Sequence, residues 1–256
     1  MIPQDAPHAA VEHVWGTVVS VQTVGTPQPD AVGAFFAELH EIDRIFSPYR
    51  PDSEISRIAD GQLTIGAADP LVQEVAARCA AYEGETGGLF SAYWRGCFDP
   101  TGLVKGWAID RAAARHLEPL VDGVTIGAIG VDAGGDVLVF THPDLDRTWN
   151  IGIADPRRPG AVIATVPLRN GAIATSGIAE RGAHILDPRT GSAATGVASA
   201  TVVASTLEIA DVWATASVVA GFDAPLPPHG TVLLVAEDGR IRRGISGVEV
   251  SVGSPS

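Results

Sequence analysis

The feature that most limits how this chain can fold is a change of period near its middle. One alternating run comes first, Val14 to Val24, read as a strand with Trp15-Gly16-Thr17 near its start. Apolar residues then recur every three or four positions. Phe35, Leu39, Ile42 and Phe46 share a face of a helix over Asp30 to Phe46. Prolines in Phe46-Ser47-Pro48-Tyr49-Arg50-Pro51 end it and put Tyr49 on a loop, ahead of a short helical turn at Ser53 to Ile58. Asp69-Pro70 supplies an N-cap and a proline at the first helical position. The helix that follows buries Val72, Val75, Cys79 and Tyr82 and ends in Gly84 to Gly88. A further helix, Val104 to Leu117, aligns Ile109, Ala113 and Leu117.

Beyond Leu117 the texture becomes β-like, with short runs at Val124 to Val131, Val137 to Phe140, Trp149 to Ile153, Ala161 to Val166, Ala172 to Thr175 and Thr201 to Ser205. One helix interrupts them, Thr206 to Gly221, with Ile209, Val212, Ala216 and Val219 on its apolar face. A hairpin closes the chain: Thr231 to Ala236, the turn Glu237-Asp238-Gly239, then Ile241 to Val252. Helices early and strands late, without strict alternation, predict an α+β fold rather than a doubly wound sheet.

The formal charge of −13 excludes the polyanions as main partners, so neither nucleic acid nor an anionic membrane is expected. No stretch has the length and apolarity of a membrane span, and Met1 to Asp5 has neither a basic n-region nor an apolar h-region; the expectation is a cytoplasmic protein. Cys79 and Cys97 lack metal-ligand spacing, and a single disulfide between them stays open. No glycine fingerprint of a dinucleotide fold and no Walker A pattern occurs.

Three short stretches bear chemistry. Asp99 to Asp110 reads as a turn at Pro100 and Gly102 leading into a helix start, with Lys105 beside Gly106. Free N–H groups, a close backbone approach and a point charge suit a phosphate or pyrophosphate. The same stretch also reads as a plain helix start with a surface lysine. On the helix after Thr206, Glu208, Asp211 and Thr215 fall on one face, and a carboxylate and a hydroxyl four residues apart can converge on a hard cation such as Mg²⁺. A polar face with Thr215 bonded back to a carbonyl fits the same spacing. His184 to Gly191 packs His, Asp, Arg and Thr into eight positions, with His184 a candidate base and Arg189 a candidate phosphate fork or the partner of Asp187. Thr175-Ser176-Gly177 offers loop hydroxyls, and Gly134-Gly135-Asp136 reads as a hairpin turn.

In order along the chain, Trp15-Gly16-Thr17, Phe46 to Tyr49, Ser53 to Ser56, Gly87-Gly88-Leu89-Phe90, Asp99 to Asp110, Gly134-Gly135-Asp136, Trp149 to Ile153 with Asp155-Pro156, Thr175-Ser176-Gly177, His184 to Gly191 and Ala210 to Ala216 form a series that resembles the ApbE family of FAD:protein FMN transferases. The most specific elements are His184 to Gly191 and Ala210-Asp211 with Thr215-Ala216. The resemblance runs from about Val14 to Gly221. It implies a T-fold-like α+β architecture of antiparallel sheets with flanking helices and an FAD cleft between subregions. It also implies one domain over residues 1–256, in which 222–256 is a C-terminal β-hairpin region. The implied activity is Mg²⁺-dependent cleavage of the FAD pyrophosphate, attachment of FMN to a Thr or Ser of a flavin-accepting protein, and release of AMP.

Carried over position by position, the resemblance implies that Lys105 and Asp110 contact FAD. Asp211, Thr215 and the carbonyl of Ala113 would hold the metal, and His184 would activate the acceptor hydroxyl. Trp15 stands where the family usually has Met, Tyr49 takes an aromatic ligand position, and Leu89, Phe90 and Ser91 form a loop that meets FAD. A second departure is the short link from Ser91 to Phe98, where relatives have a longer segment. Two other functions use the same residues: an FAD pyrophosphatase, with water replacing the acceptor hydroxyl, and a flavin-binding protein without catalysis.

Overall fold

The computed structural model describes residues 8–26, 28–177, 185–224, 227–246 and 248–249. In chain order its elements are β1 His8–Val14, β2 Thr17–Gly25, α1 Pro29–Phe46, α2 Glu54–Ala59, α3 Pro70–Glu85, α4 Thr101–His116, β3 Ile126–Ala133, β4 Asp136–Thr141, β5 Trp149–Ala154, β6 Val162–Leu168, β7 Gly171–Gly177, β8 Val197–Ala204, α5 Leu207–Ala220, β9 Thr231–Ala236, β10 Ile241–Ile245 and β11 Val248–Glu249. The class is α+β, with antiparallel sheets and helices beside them.

Nine strands form one sheet in the order β1-β2-β3-β4-β7-β8-β9-β10-β11, every neighbouring pair antiparallel. The period-2 alternation sorts its residues onto two faces. Leu138, Ala172, Ala174, Ala200, Val202, Val232 and Leu234 join the main core with α1, α3, α4 and α5. Their chain neighbours Val137, Ile173, Val203 and Leu233 face the other way, onto Ile151, Ile153, Ile163 and Val166 of the separate β5–β6 hairpin. Helices therefore cover one face and a hairpin part of the other.

That hairpin is an excursion inserted between β4 and β7, which pair directly through Val137↔Ile173, Leu138↔Ala172 and Val139↔Gly171. Its neck is tied. The N–H of Thr141 donates to Asn170 Oδ1 at 2.7 Å, and the Arg169 guanidinium reaches the carbonyls of Leu145 at 2.8 Å and Pro143 and Arg147 at 3.2 Å.

Two expectations are corrected. The opening alternation is not one strand from Val14, because β1 and β2 make a hairpin whose turn is Trp15-Gly16, both with positive φ (+54° and +72°). Helix α4 begins at Thr101, not at Val104. Asp99 caps it, its Oδ1 accepting from Thr101 N–H at 3.1 Å and Thr101 Oγ1 at 2.7 Å, so Gly102 lies inside the first turn. The remaining helices follow their cues. Ser53 Oγ accepts from Ser56 N–H, Asp69 Oδ1 from Leu71 N–H, and Thr206 Oγ1 from Ile209 N–H. Both cysteines are free, and burial pushes the Cys79 thiol up to about 12, which leaves it inert. No helix among the described residues is long and apolar enough to cross a membrane.

Candidate active site

Helices α4 and α5 meet at a glycine. A side chain at Gly106 would have its Cβ 2.8 Å from the carbonyl oxygen of Leu207 and 2.9 Å from Glu208 N and Cα. The close approach this glycine permits is therefore to the first turn of α5, not to a ligand. The helices run past one another in opposite directions, with Asp110 beside Leu207 and Glu208 and Lys105 beside Asp211. The crossing thus produces two groups of buried charge.

On one side stand Lys105, Asp136 and Asp211. Lys105 Nζ makes a close ion pair with Asp136 Oδ2 and lies 3.8 Å from Asp211 Oδ2. Both carboxylates are buried, at 3% and 6% exposure, while the lysine side chain keeps 28%. The other Asp136 oxygen accepts from Thr175 N–H at 3.0 Å, which fastens the start of β4 to the end of β7. The next residue, Ser176, points to the helix face, where its Oγ lies 3.0 Å from Thr215 Oγ1. Thr175 faces away and pairs with Thr201 Oγ1 at 2.8 Å. Asp211 and Thr215, one helical turn apart on α5, offer hard oxygen donors of the kind Mg²⁺ takes. No three His, Cys, Asp or Glu residues gather into a metal cluster among the described residues.

On the other side, Asp110 accepts Leu207 N–H at 2.9 Å with Oδ1 and Glu208 N–H at 2.8 Å with Oδ2. Burial raises its pKa to about 6, although those two N–H bonds pull the other way. Glu208 turns from Asp211 to Arg78, whose Nη1 reaches both its oxygens at 3.0 and 3.1 Å. Arg78 and the Trp107 indole N–H both donate to Glu74 Oε1. Asp110 is thus engaged in holding the start of α5.

The remaining sequence-stated positions divide. Trp15 sits in the β1–β2 turn; Thr17 Oγ1 lies within 2.6 Å of where a Gly134 Cβ would be, so this turn neighbours the Gly134–Gly135 turn that leads into Asp136. Its buried indole Nε1 meets no acceptor. Phe90 packs on Tyr82 and on Gly102, one turn ahead of Lys105. Ser91 Oγ lies 3.1 Å from Glu83 Oε2, and Leu89 packs on the core. The short link after it closes on itself, Asp99 N–H donating to the Ala92 carbonyl at 2.7 Å. Tyr49 is 90% exposed and stands apart from the lysine cluster. Ala113 lies eight residues beyond Lys105, about 12 Å of helix rise, on the side leading away from Asp211. Its carbonyl accepts Leu117 N–H at 2.9 Å. Arg189 is engaged by Asp187 at 2.8 and 2.9 Å, which holds the Asp187 carboxyl low. His184 lies outside the described residues.

Asp136 is the member that sequence reasoning missed, and Ser176, expected on a loop, lies on strand β7. The available signal was a carboxylate opening an apolar strand, in phase with Leu138 and hence on the core face. Two cavities of about 410 Å³ lie elsewhere, one between β1 and α1, the other lined by Tyr82, Ile209, Trp213 and His229. Neither is lined by Lys105, Asp136, Ser176, Asp211 or Thr215.

Known proteins resemble this chain in sequence and in fold. The model of the ApbE family matches residues 15–97 and 94–226. The FAD:protein FMN transferase of Rhodobacter capsulatus is 26% identical over 290 residues, covering 90% of this chain and 55% of the relative, so the chain spans about half the length of that curated protein. The ApbE protein of Thermotoga maritima superposes with a TM-score of 0.77 at 25% identity, covering 93% of this chain and 97% of the other. The flavin transferase ApbE of Vibrio cholerae shares the fold with a TM-score of 0.71 at 20% identity, covering 94% and 98%.

Proposed function

This chain belongs to the ApbE family, and from that premise we propose that it is a Mg²⁺-dependent FAD:protein FMN transferase. In this reading it cleaves the FAD pyrophosphate, joins FMN through a phosphoester to a Thr or Ser of a flavin-accepting protein, and releases AMP. The observation that carries the reading is the convergence of Lys105, Asp211 and Thr215, from two helices, on the sheet end that holds Asp136 and Ser176.

Phosphoryl transfer needs charge neutralisation and alignment more than a covalent catalyst. The Lys105 ammonium, mostly withdrawn from water, attracts phosphate oxygens more strongly than a surface lysine does. Asp211 and Thr215 would hold Mg²⁺, whose charge, when bound, neutralises the pyrophosphate. Trp15 would pack against a ring of FAD, and the Leu89–Ser91 loop would meet FAD through its backbone. His184 takes the proton of the acceptor hydroxyl as that oxygen attacks the FMN phosphorus.

The test is to incubate the protein with FAD, Mg²⁺ and a candidate flavoprotein, then read flavin fluorescence on a denaturing gel. Covalent flavin on the acceptor is the expected outcome. FMN and AMP released with the acceptor unlabelled would make the protein an FAD pyrophosphatase instead. Intact FAD throughout would leave a flavin-binding protein.

A further inference from the structure

A second constellation lies on the far side of α5. Trp213 stands two residues from both Asp211 and Thr215, so it leaves the helix roughly opposite them. There it lines a cavity of about 410 Å³ with Tyr82, Glu85, Ile209, Pro228 and His229. Trp213 is 6% exposed and supplies a buried wall, while Glu85, Pro228 and His229 are exposed. The ring centroids of Trp213 and His229 are 5.7 Å apart, with their planes tilted by 58°. Tyr82 adds a third ring, steadied by a T-shaped contact with Phe90.

Aromatic faces carry negative charge density and attract cations. Among the described residues no lysine or arginine lines the cavity, and Glu85 has no cationic partner. Burial raises the Tyr82 hydroxyl above its ordinary value, and the carboxylates of Glu208 and Glu85 raise it further, against a smaller opposing effect of Arg78. The carboxylates thus make the potential beside Tyr82 negative. The kind of cation follows from the acceptors available. A primary ammonium brings three N–H groups to satisfy, and a guanidinium five. Among the described lining residues Glu85 is the one carboxylate, and the rest is mainly carbon surface. A quaternary ammonium has no N–H group to withdraw from water and suits such walls.

We infer that the cavity between α3 and α5 binds a quaternary ammonium head group, with Tyr82, Trp213 and His229 around the cation and Glu85 as its counter-ion. The site lies apart from the lysine cluster, and the inference does not depend on the function proposed above.

The experiment follows the indole N–H resonances of the five tryptophans in the isotope-labelled full chain during titration with choline chloride at constant ionic strength. Trp213→Phe identifies the Trp213 signal by its loss. The control is the neutral isostere of choline, in which a carbon atom replaces the nitrogen. Choline should shift the Trp213 signal saturably, with a Kd in the millimolar range, and the isostere should bind at least about tenfold more weakly. Glu85→Gln should weaken choline binding about threefold and Glu85→Lys about tenfold or more. Both changes fall at an exposed position in the last turn of α3, so the fold should be unaffected. Absence of a saturable shift overturns the inference. Equal affinity for choline and its isostere does so too, leaving an apolar groove without charge selectivity. So does choline affinity that is unchanged in Glu85→Lys, or a shift confined to another tryptophan. Should Trp213→Phe prove unfolded, the isostere and the Glu85 variants decide alone.

Discussion

The two sides of the α4–α5 crossing use the same kinds of side chain and treat them in opposite ways. Around Asp110, each carboxylate oxygen meets a fixed donor: two backbone N–H groups for Asp110 and one guanidinium for both oxygens of Glu208. Around Lys105, two buried carboxylates share one ammonium, with hydroxyls close by. The first group fastens the helix start through backbone N–H donors and a guanidinium. The second joins two helices to the sheet through a lysine and two carboxylates. Burial of a carboxylate is common to both, and the partners that meet it differ.

The largest test of this contrast is Asp211→Ala. It should lower Mg²⁺-dependent FAD turnover by on the order of 10³ while leaving the melting temperature close to wild type. Activity retained in folded protein would remove Asp211 from the site. Asp110→Ala should do the reverse. It strands two buried N–H groups at the start of α5, at a cost of about 3 kcal/mol in urea unfolding. FAD affinity of the protein that remains folded should not change; a lost affinity would restore Asp110 as a cofactor contact.

Gly106→Ala should affect both sides together. Its Cβ would press on backbone atoms of Leu207 and Glu208 at 2.8–2.9 Å, which a side-chain rotation cannot relieve. We expect about 1–3 kcal/mol of destabilisation and weaker Mn²⁺ binding in the same variant. The smallest effect is one of pH. Asp110 titrates at about 6 in the folded chain, above the ordinary carboxylate value. The native state therefore keeps a proton that the unfolded chain has lost, and the stability this contributes is full below the ordinary value and lost as pH rises through 6. Urea unfolding from pH 4 to 7 should show that decline in the wild type and a flatter profile in Asp110→Asn.

Most of the fold was legible because periodicity and capping are local. Helices α1, α3 and α5 and strands β3 to β9 lie where apolar spacing put them, within about four residues at their ends, whereas the run expected from Ile241 to Val252 is divided into β10, ending at Ile245, and β11. Strand β1 escaped because its alternation leaves Val11 exposed, and the turn at Trp15-Gly16 requires a positive φ at a tryptophan, which no turn rule anticipates. The site was half legible. Asp211 and Thr215 share a helix face, and spacing alone reveals that. Lys105 stood out as part of a helix start, but the helix begins four residues ahead of it, and there Asp99 accepts from Thr101 N–H. Asp136 looked like the end of a glycine turn, and only the pairing of β4 with β7 turns it into a partner for a lysine from another helix. Asp110 shares the sequence signal of a ligand and owes its actual role to the glycine four residues before it.

The neck made by Asn170 and Arg169 bears on how such a protein can diverge. It fixes Val139 opposite Gly171 irrespective of what lies between. Residues can be gained, lost or exchanged around the tip at Arg157 to Gly160 without shifting the register that sets Asp136 against Thr175. The excursion lays a lid of apolar side chains over Ile173 and Leu233. Its tip is thus surface that can be altered without moving the strand pairing that holds Asp136.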